Sequence, residues 1–221
     1  MSKVNKEHIV AKVYAAIEKK DFDVPELKKF KLNENKYPRN IIDALRNMAP
    51  KEKNIFIDEF KHVFNENNQR LEINKSHLDS SFSKLLYLMV WKQGDLDKFN
   101  RIVEGLQSSP KLEEAYENVS KAFVFFQLGR HIIFDEPIVD QHSIRAFVAL
   151  IENKHIKNVR PIDVKSDNIK NSLYSKKHKD LIKAYIDWWA KKSKDIKDED
   201  QHLLDNLMYS LGKYLKTEVK T

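Results

Sequence analysis

A lysine and an aspartate stand 19 residues apart in the most apolar stretch of the chain, VSKAFVFFQLGRHIIFDEPIVDQHSIRAF (residues 119–147). Lys121 precedes Ala-Phe-Val-Phe-Phe-Gln-Leu, which is apolar nearly all round and predicts a helix running through a core. A lysine attacks an anomeric carbon and forms a Schiff base only as the neutral amine. The positive end of a helix and the loss of water beside apolar surface both disfavour the ammonium form. Asp140 follows Pro137-Ile138-Val139 at the expected start of the next helix, where backbone N–H groups receive a carboxylate. From there it would stabilise an oxocarbenium-like transition state or activate a water molecule. A neutral amine and a carboxylate at the ends of adjoining helices are the groups a base-excision reaction uses. The same residues also have a structural reading. Asp140 is a good N-cap worth about 1 kcal/mol, and a lysine at a helix end can lay its stem on apolar surface with the ammonium in water.

Other constellations are weaker. His131, Asp135, Glu136, Asp140 and His142 lie near one expected turn over Gly129–Glu136, but in no metal-ligand spacing, so no metal is expected. Tyr174-Ser175-Lys176-Lys177-His178-Lys179 precedes Tyr185, Trp188 and Trp189, and then Lys191, Lys192 and Lys194. Cations interleaved with flat rings suit phosphate neutralisation and base stacking, which makes Lys176, Lys177 and Lys179 candidate nucleic-acid contacts. The competing account packs the rings into a bundle and leaves the lysines as its solvated surface. No Walker loop, GxGxxG, HExxH or GxSxG occurs, so NTP hydrolysis, Rossmann cofactors, zincin proteolysis and α/β-hydrolase chemistry have no support.

The elements that must position these residues are helical. Apolar residues recur at 3.6-residue spacing: Ile9, Val10, Val13, Tyr14 and Ile17; then Ile41, Ile42, Leu45 and Met48 after Pro38; then Ile55, Phe56, Phe60, Val63 and Phe64 after Pro50. Leu85–Trp91 predicts a buried helix, Gly94 interrupts it, and Phe99–Leu106 resumes the period. Helices around Leu181–Trp189 and Leu203–Leu215 close the chain. With 4 Gly and 6 Pro in 221 residues there is little turn chemistry for a many-stranded β protein. Asn65–Lys75 is the most loop-like segment and the expected boundary between an N-terminal helical region, 1–70, and a larger domain, 71–221. The segment 153–171 is polar and irregular, and is also expected to be a loop. Cys is absent, which removes disulfides and thiolate chemistry. The N-terminus is charged and periodic rather than a signal peptide, and no apolar run approaches a membrane span, so a cytoplasmic protein without a membrane partner is expected. The formal charge of +7 comes mostly from lysine, since only seven residues are Arg. It permits a polyanionic partner without specifying one.

The stretch from Lys121 to Arg145 resembles the helix-hairpin-helix GPD superfamily of DNA glycosylases, closest to bacterial 8-oxoguanine glycosylase-like proteins. In that family a lysine nucleophile opens the helix after the hairpin and an aspartate caps a following helix, in contexts such as VD-x-H; Val139-Asp140-Gln141-His142 and Arg145 fit this pattern. Leu203-Leu204-Asp205-Asn206-Leu207 through Gly212 resembles the closing helix of the bacterial proteins. The resemblance implies an all-α helical bundle with a glycosylase-like core and extra N-terminal helices. It also implies excision of a damaged base by Lys121 and Asp140, DNA contacts from His142 and Arg145, and no cofactor. The hairpin departs from the pattern: Ala115–Lys121 lacks the glycines that let backbone amides approach a phosphate, and Glu117 stands there instead. A module on the same scaffold that binds nucleic acid or a protein partner without catalysis is therefore the competing expectation. The oligomeric state stays open.

Overall fold

The computed structural model describes residues 3–31, 39–67, 70–73, 93, 96–117, 119, 122–134, 136–156, 179–197 and 200–217. Their regular secondary structure is helical apart from one short ribbon, as the periodicity predicts. The backbone groups into two compact units, one formed by residues 1–37 with 136–221 and the other by 38–135.

In the first unit, α1 (Lys3–Lys19) buries Ile9, Val10, Val13 and Ile17, one stripe of the helical repeat. It ends in a Schellman turn: Lys20 is left-handed at φ 56°, and the N–H groups of Lys20 and Asp21 reach back to Ile17 and Ala16. A 3-10 turn, Pro25–Phe30, buries Leu27 and Phe30, and α7 (Gln141–Glu152) is buried almost continuously from Ser143 to Leu150. The last two helices are α8 (Lys179–Ser193) and α9 (Gln201–Thr217). Phe147 of α7 meets the rings of Tyr185 and Trp188 at 5.4 and 5.6 Å, and Phe30 meets Tyr214 edge-on at 5.5 Å. Helices α7 and α9 meet at backbone contact, where a Cβ on Gly212 would lie 1.8 Å from the His142 carbonyl oxygen.

The second unit comprises α2 (Arg39–Arg46), α3 (Pro50–Val63), β1 (Phe64–Asn67), β2 (Arg70–Ile73), α4 (Leu96–Leu106), α5 (Leu112–Glu117) and α6 (Phe123–Ile133). The strands pair antiparallel, from Phe64 with Ile73 to Asn67 with Arg70. This segment was expected to be loop. Arg70-Leu71-Glu72-Ile73 does alternate polar with apolar, but β1 is polar after Phe64, so only one strand of four residues carries the signal, and a ladder of main-chain hydrogen bonds does not require it in both. The boundary expected at residue 70 falls at the first residue of β2.

Gly129 corrects another expectation. It lies inside α6 rather than opening a turn, because α6 crosses α4 at backbone contact: a Cβ there would sit 2.0 Å from the Ile102 carbonyl oxygen, and one on Gly105 would sit 2.0 Å from that of Phe126. The chain leaves the helix only at Phe134, whose N–H bonds the Arg130 carbonyl. The expected helix over Leu85–Trp91 lies outside the described residues, as does the segment 157–171.

Candidate functional site

Asp140 is the N-cap of α7. Its Oδ1 accepts from the backbone N–H of both His142 and Ser143 at 2.7 Å, while its own N–H donates to Ser143 Oγ at 2.9 Å, a reciprocal capping box. The residue is half-buried and its Oδ2 takes no part in this cap. Local sequence specifies this geometry: Pro137 and Val139 keep the approach extended, and a serine stands three residues beyond the aspartate. Asp140→Ala should cost about 1 kcal/mol and Asp140→Asn only a fraction of that, because an amide oxygen also caps. Urea midpoints of the two variants check this.

Around the cap the side chains are closely packed. His142 is half-buried, edge-on to the Tyr209 ring at 4.9 Å, with Nδ1 3.3 Å from Arg145 Nη1. Burial above all holds its imidazole below the ordinary histidine range; Arg145 and Lys216 add to this, while Asp140 and the Gly212 carbonyl oppose it. Arg145 is only 4% exposed and its Nη1 reaches the Gly212 carbonyl at 3.4 Å. Arg145, expected to contact DNA, is therefore placed at the α7–α9 contact. Tyr185, fully buried beside Ser143, has its hydroxyl pushed well above the usual tyrosine range, first by burial and then by the charges of Asp205 and Asp140. It stays a neutral phenol.

Lys121 lies outside the described residues, as do Lys176 and Lys177; Lys179 is the half-exposed first residue of α8. The helix that Lys121 was expected to open does begin two residues after it, at Phe123. Ahead of it, Tyr116 is buried and donates from its hydroxyl to Gln127 Oε1 at 2.8 Å, tying α5 to α6, while Glu117 is exposed. Trp188 and Trp189, with Tyr185, are core residues of the first unit, as the packing account of these rings has it. His131 is buried in α6, and among the described residues no group of three or more His, Asp or Glu is placed to hold a metal ion.

Sequence reasoning missed Arg130. Its side chain is fully buried, with Nη1 donating to Ser108 Oγ at 2.8 Å and to the Ser109 carbonyl at 2.5 Å, and Nη2 donating to the Pro110 carbonyl at 3.1 Å. The guanidinium also lies 4.6 Å from the Phe134 ring centroid. The available signal was a cation on the apolar face of a helix, a position arginine occupies only when its donors are met. Among the described residues no helix is long and apolar enough to cross a membrane. Compared with protein-family models, with curated proteins and with solved structures, the chain finds no match.

Proposed function

We propose that the protein is a base-excision enzyme of the helix-hairpin-helix glycosylase type, acting on DNA that carries a damaged base such as an oxidised purine. The neutral Lys121 amine attacks the anomeric carbon as the glycosidic C–N bond breaks, its electron pair leaving on the base, which takes one proton from the amine; the sugar ring then opens, the C1′–O4′ bond breaking as the nitrogen lone pair forms the C=N bond of a Schiff base and the second amine proton passes to O4′. The Asp140 carboxylate stabilises the positive charge that develops on the sugar. The observation that carries this reading is the Asp140 cap: one oxygen is fixed by two backbone N–H groups at the mouth of α7, and the half-buried carboxylate keeps its other oxygen outside the cap.

Borohydride trapping on duplexes containing 8-oxoguanine or an abasic site tests it. The wild type should yield a covalent adduct, Lys121→Gln should yield none, and Asp140→Asn should slow trapping on the order of 100-fold while keeping the cap. No adduct with wild type, or an adduct that survives Lys121→Gln, overturns the proposal.

A second reading, a module that binds without excising, is favoured by the segment before Lys121. By the resemblance, Glu117 stands in the segment where the family offers backbone amides to a phosphate, and its exposure supports a carboxylate meeting the ligand there. Salt-dependent duplex binding with no trapped adduct is the outcome that distinguishes it.

A further inference from the structure

Three groups meet at the α7–α9 crossing. Arg145 Nη1 lies 3.3 Å from His142 Nδ1 and 3.4 Å from the Gly212 carbonyl oxygen. Gly212 is itself pressed against the main chain of His142, closer than any side chain would allow. A guanidinium has donors and no acceptor, so a hydrogen bond across this contact requires Nδ1 to offer a lone pair. That contact therefore belongs to the neutral imidazole, with its proton on the other ring nitrogen.

We infer that His142 is a proton-operated latch on the α7–α9 contact: when neutral it holds Arg145 at the Gly212 carbonyl, and when protonated it repels the guanidinium and competes for the same carbonyl. Both halves follow from the three-way geometry. An added proton on Nδ1 turns an acceptor–donor contact into two donors facing each other, with two positive charges in a partly desolvated space. Gly212 O is an acceptor that both can use. The crossing has no slack with which to absorb the rearrangement, since helix backbone already touches helix backbone at Gly212.

The other groups acting on the ring are Asp140, whose carboxylate favours the proton, and Lys216 of α9, which opposes it with Arg145; the Tyr209 ring covers one side. Tyr185 of α8 faces Asp140 and Asp205 and contributes no charge. Because the His142 N–H also bonds the Asp140 carboxylate, loosening of the crossing reaches the cap directly. The latch does not depend on the excision reading and stands if that reading fails.

The sign is fixed by the direction of the shift. The folded state holds the imidazole proton less tightly than the unfolded chain, so the unfolded chain binds more protons as pH falls past about 6.5, and stability declines on the acid side. The test is an NMR titration of the His142 imidazole in the full chain, together with urea midpoints from about pH 8 to about pH 5. The imidazole should titrate below 6.5, its midpoint should rise in Arg145→Gln, and His142→Asn should lose less stability than wild type over the acid half of the range. Titration at or above 6.5, or a midpoint unmoved by Arg145→Gln, overturns the latch. Should Arg145→Gln fail to fold, the urea comparison decides alone: parallel pH profiles for wild type and His142→Asn overturn it.

Discussion

Gly212→Ala is expected to destabilise the protein by about 3 kcal/mol, the upper end of what forced overpacking costs. Two effects compete. Alanine is the better helix former, and by propensity alone the change would gain about 1 kcal/mol inside α9. Against this, the new Cβ would lie 1.8 Å from the His142 carbonyl oxygen and 2.4 Å from its carbon. Those are main-chain atoms of a buried helix, so no rotamer change relieves the clash; α7 and α9 must separate along their length. Separation also opens the Arg145–Gly212 contact and disturbs the cap that holds Asp140. Steric cost therefore outweighs propensity. Urea denaturation followed by far-UV circular dichroism should show the midpoint fall, and a midpoint equal to or above wild type would show that the crossing is looser than described.

Arg130→Met should cost a similar amount, about 3 kcal/mol. Methionine keeps most of the apolar stem but deletes three hydrogen bonds from a charged donor, each worth about 1.5 kcal/mol or more when buried. It leaves the Ser109 and Pro110 carbonyls and the Ser108 hydroxyl to find new partners in the turn that ends α4. The hydrophobic gain of an uncharged side chain offsets part of this, which is why the expected loss is smaller than the sum of the bonds. Arg130→Lys should recover only part of the stability: an ammonium is a single point on a flexible stem, whereas the guanidinium reaches Ser108 and Ser109 through one nitrogen and Pro110 through the other. If Lys and Met variants were equally stable, the fork geometry would carry no weight. Both variants leave α7 and its cap untouched in sequence, so they separate core stability from the proposed chemistry.

Among the site residues, Asp140 was readable because capping is local: aspartate, serine three residues on, and proline three residues before are all visible in one short window. His142 and Arg145 were visible as residues, but their orientation was not. A resemblance in spacing placed them toward DNA, whereas the approach of α9, some 70 residues away in the chain, turns Arg145 inward. Arg130 escaped notice for the same reason, since its partners begin 20 residues upstream and nothing near it in sequence names them.

By itself the sequence determined the all-α class, the helices whose apolar stripes repeat every 3.6 residues and the cap at Asp140, because each rests on interactions within a few turns of one helix. Tertiary structure alone decided that Gly129 lies at a helix crossing rather than in a turn, that Gly212 is where α9 meets the main chain of α7, that residues 1–37 join 136–221 in one unit, that Tyr185, Trp188 and Trp189 are buried, and that two arginines serve the interior. Those features depend on the distance between backbones remote in sequence. A glycine at a helix crossing and a glycine in a turn look identical until the second helix is in place.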